Sequence, residues 1–211
     1  MRKRILVVMA ALSVAMLSTG CVKIIDKGTE GQYTGKVEFN ASDNVEEMWE
    51  EAVKDISDRA VDLPTFLKEA NGDLSSLVDK YGKYSMGTSG SISYPVKGTG
   101  VVEEVETSKK AGYITVKLDG YDGAEVIKMQ VGSIYKGSST RDTLTIINYG
   151  DYTNQEEWGD VSKTLHEKID KEVIGGVDLT SIQGKTVDFV GTFTVDGNDE
   201  LLITPVVLTV Q

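Results

Sequence analysis

The densest gathering of groups able to do chemistry runs from Arg141-Asp142 through Asn148-Tyr149-Gly150-Asp151-Tyr152-Thr153-Asn154-Gln155. A guanidinium, carboxylates, amides and two phenols so close together can line a pocket for a small, polar, sugar-like ligand. The rings stack on its apolar faces, and paired polar atoms grip its hydroxyls. On this reading Arg141, Asp142, Tyr149, Tyr152, Asn154 and Gln155 are the candidate binding residues. The same residues also admit a structural role, with Arg141 paired to Asp142 or Asp151 while Asn154 and Gln155 cap a helix.

Catalytic patterns are sparse by comparison. The single histidine, His166, sits beside a helical apolar stripe, and no serine or cysteine lies in a nucleophile elbow. It reads as a partly exposed helix residue. Glu103-Glu104 and Glu156-Glu157 do not make a glycosidase dyad, because adjacent residues of a strand face opposite ways and nothing fixes their separation. Asp119-Gly120, Asp122-Gly123 and Asp196-Gly197-Asn198 read as hairpin tips that tolerate positive φ, without the ordered oxygen ligands of a calcium loop. No phosphate loop, dinucleotide fingerprint or metal-ligand pair is present in the sequence. The expectation is a non-enzyme with no catalytic residue, no metal and no cofactor.

One further residue has a chemical assignment. Arg2, Lys3 and Arg4 precede an apolar stretch from Ile5 to Leu17 and the small residues Ser18, Thr19 and Gly20. A bilayer-spanning helix needs about 20 apolar residues, so this shorter stretch reads as the core of a secretory signal occupying residues 1–20. Cys21, the only cysteine, follows directly, and Leu17-Ser18-Thr19-Gly20-Cys21 resembles the lipobox of bacterial lipoproteins. The expectation is that Cys21 is lipidated and that residues 21–32 form a tether. Each buried methylene contributes about 0.8 kcal/mol, so two or three acyl chains anchor a protein stably where one does not.

With 33 acidic against 22 basic residues the net charge is −11, which repels phosphate backbones and anionic headgroups alike. Nucleic acid is excluded as an expected partner, and membrane attachment falls to the lipid anchor rather than to the protein face. A chain of 211 residues, 40% hydrophobic, can bury a core in one or two modest domains.

The elements that must position these groups are legible from periodicity. Tyr33 to Phe39 alternates like a strand. Val45, Met48, Trp49, Ala52, Val53 and Ile56 form a helical stripe, with Ser42 or Asp43 as its cap. A second helix spans Leu63 to Ala70, capped by Asp62 and stopped at Asn71-Gly72; a third follows Asp73 and closes at Gly82. Ser85 to Ser93 reads as a loop and a boundary. Beyond it, period-two runs mark strands at Tyr94–Thr107, Ala111–Asp119, Ala124–Tyr135, Thr143–Asn148, Lys185–Val195 and Glu200–Val210. A helix from Asn154 to Ile174, with Thr153 and Glu156 as capping box and Trp158, Val161, Leu165, Ile169 and Val173 as stripe, interrupts them. The expected architecture is α+β: a helical subdomain over residues 33–84, then a small antiparallel OB-like β-barrel over 94–211 with one long inserted helix. An open α+β sheet is the alternative.

Laid in order, the Trp49 helix, Tyr81-Gly82, Gly98-Thr99-Gly100, Gly132, Arg141-Asp142, Thr153-Asn154-Gln155, Gly184-Lys185 and Ile203-Thr204-Pro205-Val206 resemble the bacterial family of predicted periplasmic lipoproteins called domain of unknown function 2291. That resemblance implies an extracytoplasmic, lipid-anchored protein without an established activity, found in the company of sugar transport systems. The expected function is a non-enzymatic binding or accessory module for a sugar-transporter subunit or a small polar ligand. A self-associating envelope protein and a hydrolase with an unrecognised site are the alternatives.

Overall fold

The computed structural model describes residues 39–197 and 200–211, and residues 40–211 form one compact unit of mixed α and β structure. The signal, the tether, Cys21 and the Tyr33–Phe39 strand, up to residue 38, lie outside the described residues.

Helix α1 (Ala41–Arg59) buries Val45, Met48, Ala52 and Ile56, as its stripe requires, and leaves Trp49 and Val53 half-exposed. Its cap is Asn40 rather than Ser42 or Asp43: Asn40 Oδ1 accepts from the amide of Ser42 at 2.9 Å. Strand β1 (Val61–Asp62) leads into α2 (Leu63–Ala70), where the Asp62 carboxylate accepts from Thr65 N and Asn71 ends the helix in the left-handed region at φ 47°. A 3-10 turn (Leu74–Leu77) and the short α3 (Val78–Tyr81) follow, then β2 (Lys83–Tyr84).

The hub is β3 (Ile92–Glu106), which pairs with β6 (Thr186–Thr194) along its first two-thirds and with β4 (Tyr113–Leu118) along its second half. Strand β4 pairs with β5 (Val126–Gln130), β5 runs parallel to β7 (Glu200–Val210), and β7 returns antiparallel to β6. Five strands therefore close a ring of pairings. Gly191 sits at a bulge between β6 and β7, where a Cβ would come within 2.7 Å of Thr204 O, so the tight bend depends on glycine. Between β5 and β6 lie α4 (Ser139–Thr143), a 3-10 turn (Tyr149–Asp151), α5 (Gln155–Ile169) and a π-helical turn (Asp170–Ile174).

Two further expectations about the elements are corrected. Thr143–Asn148 is not a strand, because its backbone groups are taken by charged side chains from elsewhere. Arg59 Nη2 donates to Thr143 O at 2.8 Å, Lys83 Nζ donates to Leu144 O, and Thr145 N donates to Asp55 at 3.0 Å. Its buried apolar residues are Leu144 and Ile147, three apart rather than alternating, and β3, β4, β5, β6 and β7 already pair with one another around the ring. At α5 the cap is Asn154, not Thr153; Asn154 Oδ1 accepts from Glu156 N and Glu157 N, and Glu157 reaches back to Thr153 N at 2.8 Å.

The Ser85–Ser93 segment lies within the compact unit formed by residues 40–211. Strand β2 pairs with β3, and Phe66 of α2 packs on Tyr94 and Phe193 at ring separations of 4.7 and 5.8 Å. Gly82 makes room for that cluster, since a Cβ there would meet the Tyr94 ring at 2.6 Å.

Candidate functional site

Arg141 lies in α4, one turn before the irregular segment that leads to α5. Its Nε and Nη2 both donate to Asp142 Oδ1, at 2.9 and 2.6 Å, and its Nη1 donates to Trp158 O at 3.0 Å. The guanidinium also stacks 4.4 Å above the Trp158 ring. Both members of the ion pair are nearly buried, with side chains 12% and 9% exposed. Burial pushes the Asp142 carboxyl above its usual pKa despite the opposing pull of Arg141 beside it.

Around this pair opens a cleft of about 660 Å³, between the Tyr84–Gly87 turn on one side and Asn148–Gly150 and α5 on the other. Arg141, Asp142, Tyr149 and Gln155 line it, so four of the six candidate binding residues come together. The other two do not. Tyr152 turns toward α1, donating to Asn44 Oδ1 at 3.2 Å while its ring leans on Trp158, and Asn154 is occupied as the helix cap. Sequence reasoning missed Trp158 and the whole Lys83–Gly87 side of the cleft, Lys83, Ser85 and Met86 among it. Trp158 was assignable only to the helical stripe; in the fold it stands half-exposed beside the buried row of Val161, Leu165 and Ile169. Lys83 and Met86 carry no local signal, since the chain brings them to Arg141 from far upstream.

The cleft has an apolar rim and a charged floor. Met86 is 71% exposed and Tyr149 47%, and the Tyr149 ring meets Trp158 edge-on at 6.1 Å. Lys83 donates to Leu144 O and, at 3.5 Å, to Ile147 O; burial and the neighbouring Arg59 charge push its ammonium below the usual pKa. This set of groups can stack on a small ring and hydrogen-bond its substituents.

His166 is elsewhere, stacked at 5.0 Å on Tyr135, and its Nε2 is buried with no hydrogen-bond partner among the described residues. Burial first, and the Arg141 charge second, depress its pKa to about 4. Among the described residues no group of three or more His, Cys, Asp or Glu side chains is placed to hold a metal ion. No helix among them is long and apolar enough to cross a membrane.

A family model described as "Predicted periplasmic lipoprotein (DUF2291)" matches residues 11–209. Among solved structures, an OB-fold protein from Thermotoga maritima is similar at 16% identity with a TM-score of 0.63, covering 83% of this chain and 100% of that one. At that identity the likeness shows the fold alone. No curated protein matches the chain.

Proposed function

Because the chain belongs to the DUF2291 family of predicted periplasmic lipoproteins and is an extracytoplasmic, lipid-anchored protein, we propose that it acts as a membrane-tethered, non-enzymatic module that binds a small polar, sugar-like ligand in the Arg141 cleft. One observation carries this reading: an exposed phenol and a half-exposed indole overhang a floor of polar groups fixed in place by Arg141. Tyr149 offers a flat face, Gln155 an amide, and Lys83 an N–H. Aromatic walls with a few convergent polar groups are the usual composition of a small-molecule site. Arg141 is committed to Asp142 and Trp158, so it holds the wall in shape rather than contacting the ligand.

The finer parts of the proposal are that the ring of strands forms an OB-like barrel, that residues 1–20 are a signal, and that Cys21 carries the lipid. The ligand-bound protein then serves a sugar transporter on the same membrane, as the family resemblance implies. The test is a thermal-shift screen of the soluble protein, lacking residues 1–32, against monosaccharides. A ligand that binds only the folded state raises the melting temperature with concentration, and Tyr149→Ala should weaken the response. A panel in which no sugar shifts the melt, or in which Tyr149→Ala responds like wild type, refutes the assignment.

A further inference from the structure

The charges lining the cleft do not balance. Arg141 and Asp142 neutralise each other, and Asp55 and Arg59 do the same below them. Lys83 remains. Its ammonium is half-buried and, among the described residues, it bonds only to the carbonyls of Leu144 and Ile147; Asp142 and Asp55 act on it from longer range. Two carbonyls use two of its three N–H groups. Two residues further on, Ser85 also lines the cleft, and its Oγ accepts from Ser91 N at 3.0 Å. A cation without a counter-ion and a serine thus line one cleft in a chain whose net charge is −11.

Resting on the sugar-binding reading above, we propose that the natural ligand is an acidic sugar whose carboxylate docks between Lys83 and Ser85 while its ring lies against Tyr149. A partly desolvated cation without a counter-ion gains more from a carboxylate than from a hydroxyl, because the charge-assisted bond is about twice as strong as a neutral one. Asp142 does not oppose the anion, since its carboxylate is paired with the Arg141 guanidinium through two hydrogen bonds.

Calorimetric titrations of the soluble protein should compare glucose with glucuronate, galactose with galacturonate, and glucuronate with its methyl ester. The acid of at least one pair is expected to bind about tenfold tighter than its neutral partner and than the ester, the effect of one charge-assisted hydrogen bond. Lys83→Gln should bring acid and neutral sugar within about threefold of each other, and Lys83→Arg should restore much of the preference. Equal affinity for acid, ester and neutral sugar overturns the carboxylate assignment while leaving sugar binding intact. Binding of neither member of any pair overturns the sugar-binding reading and this assignment with it. The ester comparison needs no substitution, so the outcome holds even if Lys83→Gln fails to fold.

Discussion

The guanidinium of Arg141 stacks 4.4 Å over the ring of Trp158 while its Nη1 donates to the backbone carbonyl of the same residue at 3.0 Å. One side chain thereby fixes both the position of the first turns of α5 and the tilt of an indole, and it does so with its charge paired to Asp142. Removing it leaves a nearly buried carboxylate without its cation. Breaking such a pair costs about 3 to 5 kcal/mol. Arg141→Ala should therefore lower the melting temperature by about 10 °C in a domain of this size, and Arg141→Lys, which keeps the charge but not the fork, should fall between. A melt within about 2 °C of wild type, measured by circular dichroism, would show that Arg141 is not the wall we describe.

His166 makes stability pH-dependent in a defined direction. Its folded pKa, depressed to about 4, lies below the unfolded value of about 6.5, so the unfolded chain takes up a proton that the folded one refuses. The contribution is complete above pH 6.5, is lost as pH falls from about 6.5 to about 4, and changes no further below that. The full loss is about 3 kcal/mol. His166→Phe keeps the ring against Tyr135 and removes the titration, so its stability should stay flatter over that range in urea titrations. Parallel pH profiles for the two proteins would contradict this.

Gly132 and Gly150 should respond oppositely to alanine. A Cβ on Gly132 would stand 2.2 Å from both Gly112 N and Lys110 O, backbone atoms that cannot yield cheaply, in the turn where Ile134 N donates to Lys110 O at 3.0 Å. A Cβ on Gly150 meets nothing within 4 Å. Gly132→Ala should cost more than about 2 kcal/mol or prevent folding, while Gly150→Ala should stay within about 0.5 kcal/mol of wild type. Equal melting temperatures for the pair would falsify the packing of residues 131–134 against 110–112.

On the proposed assignment of the lipid to Cys21, Cys21→Ser should abolish acylation and either release the protein from the membrane or leave it unprocessed, because its thiol would be the group that carries the diacylglycerol. Metabolic labelling with an alkynyl palmitate followed by gel fluorescence reads this directly. Equal labelling of wild type and variant would place the lipid elsewhere.

Local physics made some of the molecule readable in advance and hid the rest. The helix Leu63–Ala70, its Asp62 cap and its Asn71 stop follow from neighbouring residues alone, so sequence sufficed for them. Strand β4 obeys its alternation because only one face is buried, whereas β3, β6 and β7 also carry runs buried on both faces, at Ser93–Val96, Gly191–Phe193 and Ile203–Val206. Thr143–Asn148 alternates in sequence too, yet Asp55, Arg59 and Lys83 claim its backbone, an arrangement that only long-range chain reversal creates. The cleft shows the same division. Arg141, Asp142, Tyr149 and Gln155 are close in sequence and were recognisable together, whereas Lys83 and Ser85 reach them from β2 and its turn. The residue that sets the charge of the cleft was therefore the one least visible in the sequence.

Strand β7 completes the ring by inserting between β5, to which it is parallel, and β6. In chain order β3, β4 and β5 all precede the strand that seals them. Until Glu200–Val210 pairs, β5 lacks its parallel partner and exposes an unpaired edge. Closure of this fold therefore waits on β7 and, being non-local, is a slow step during which that edge is open to other chains.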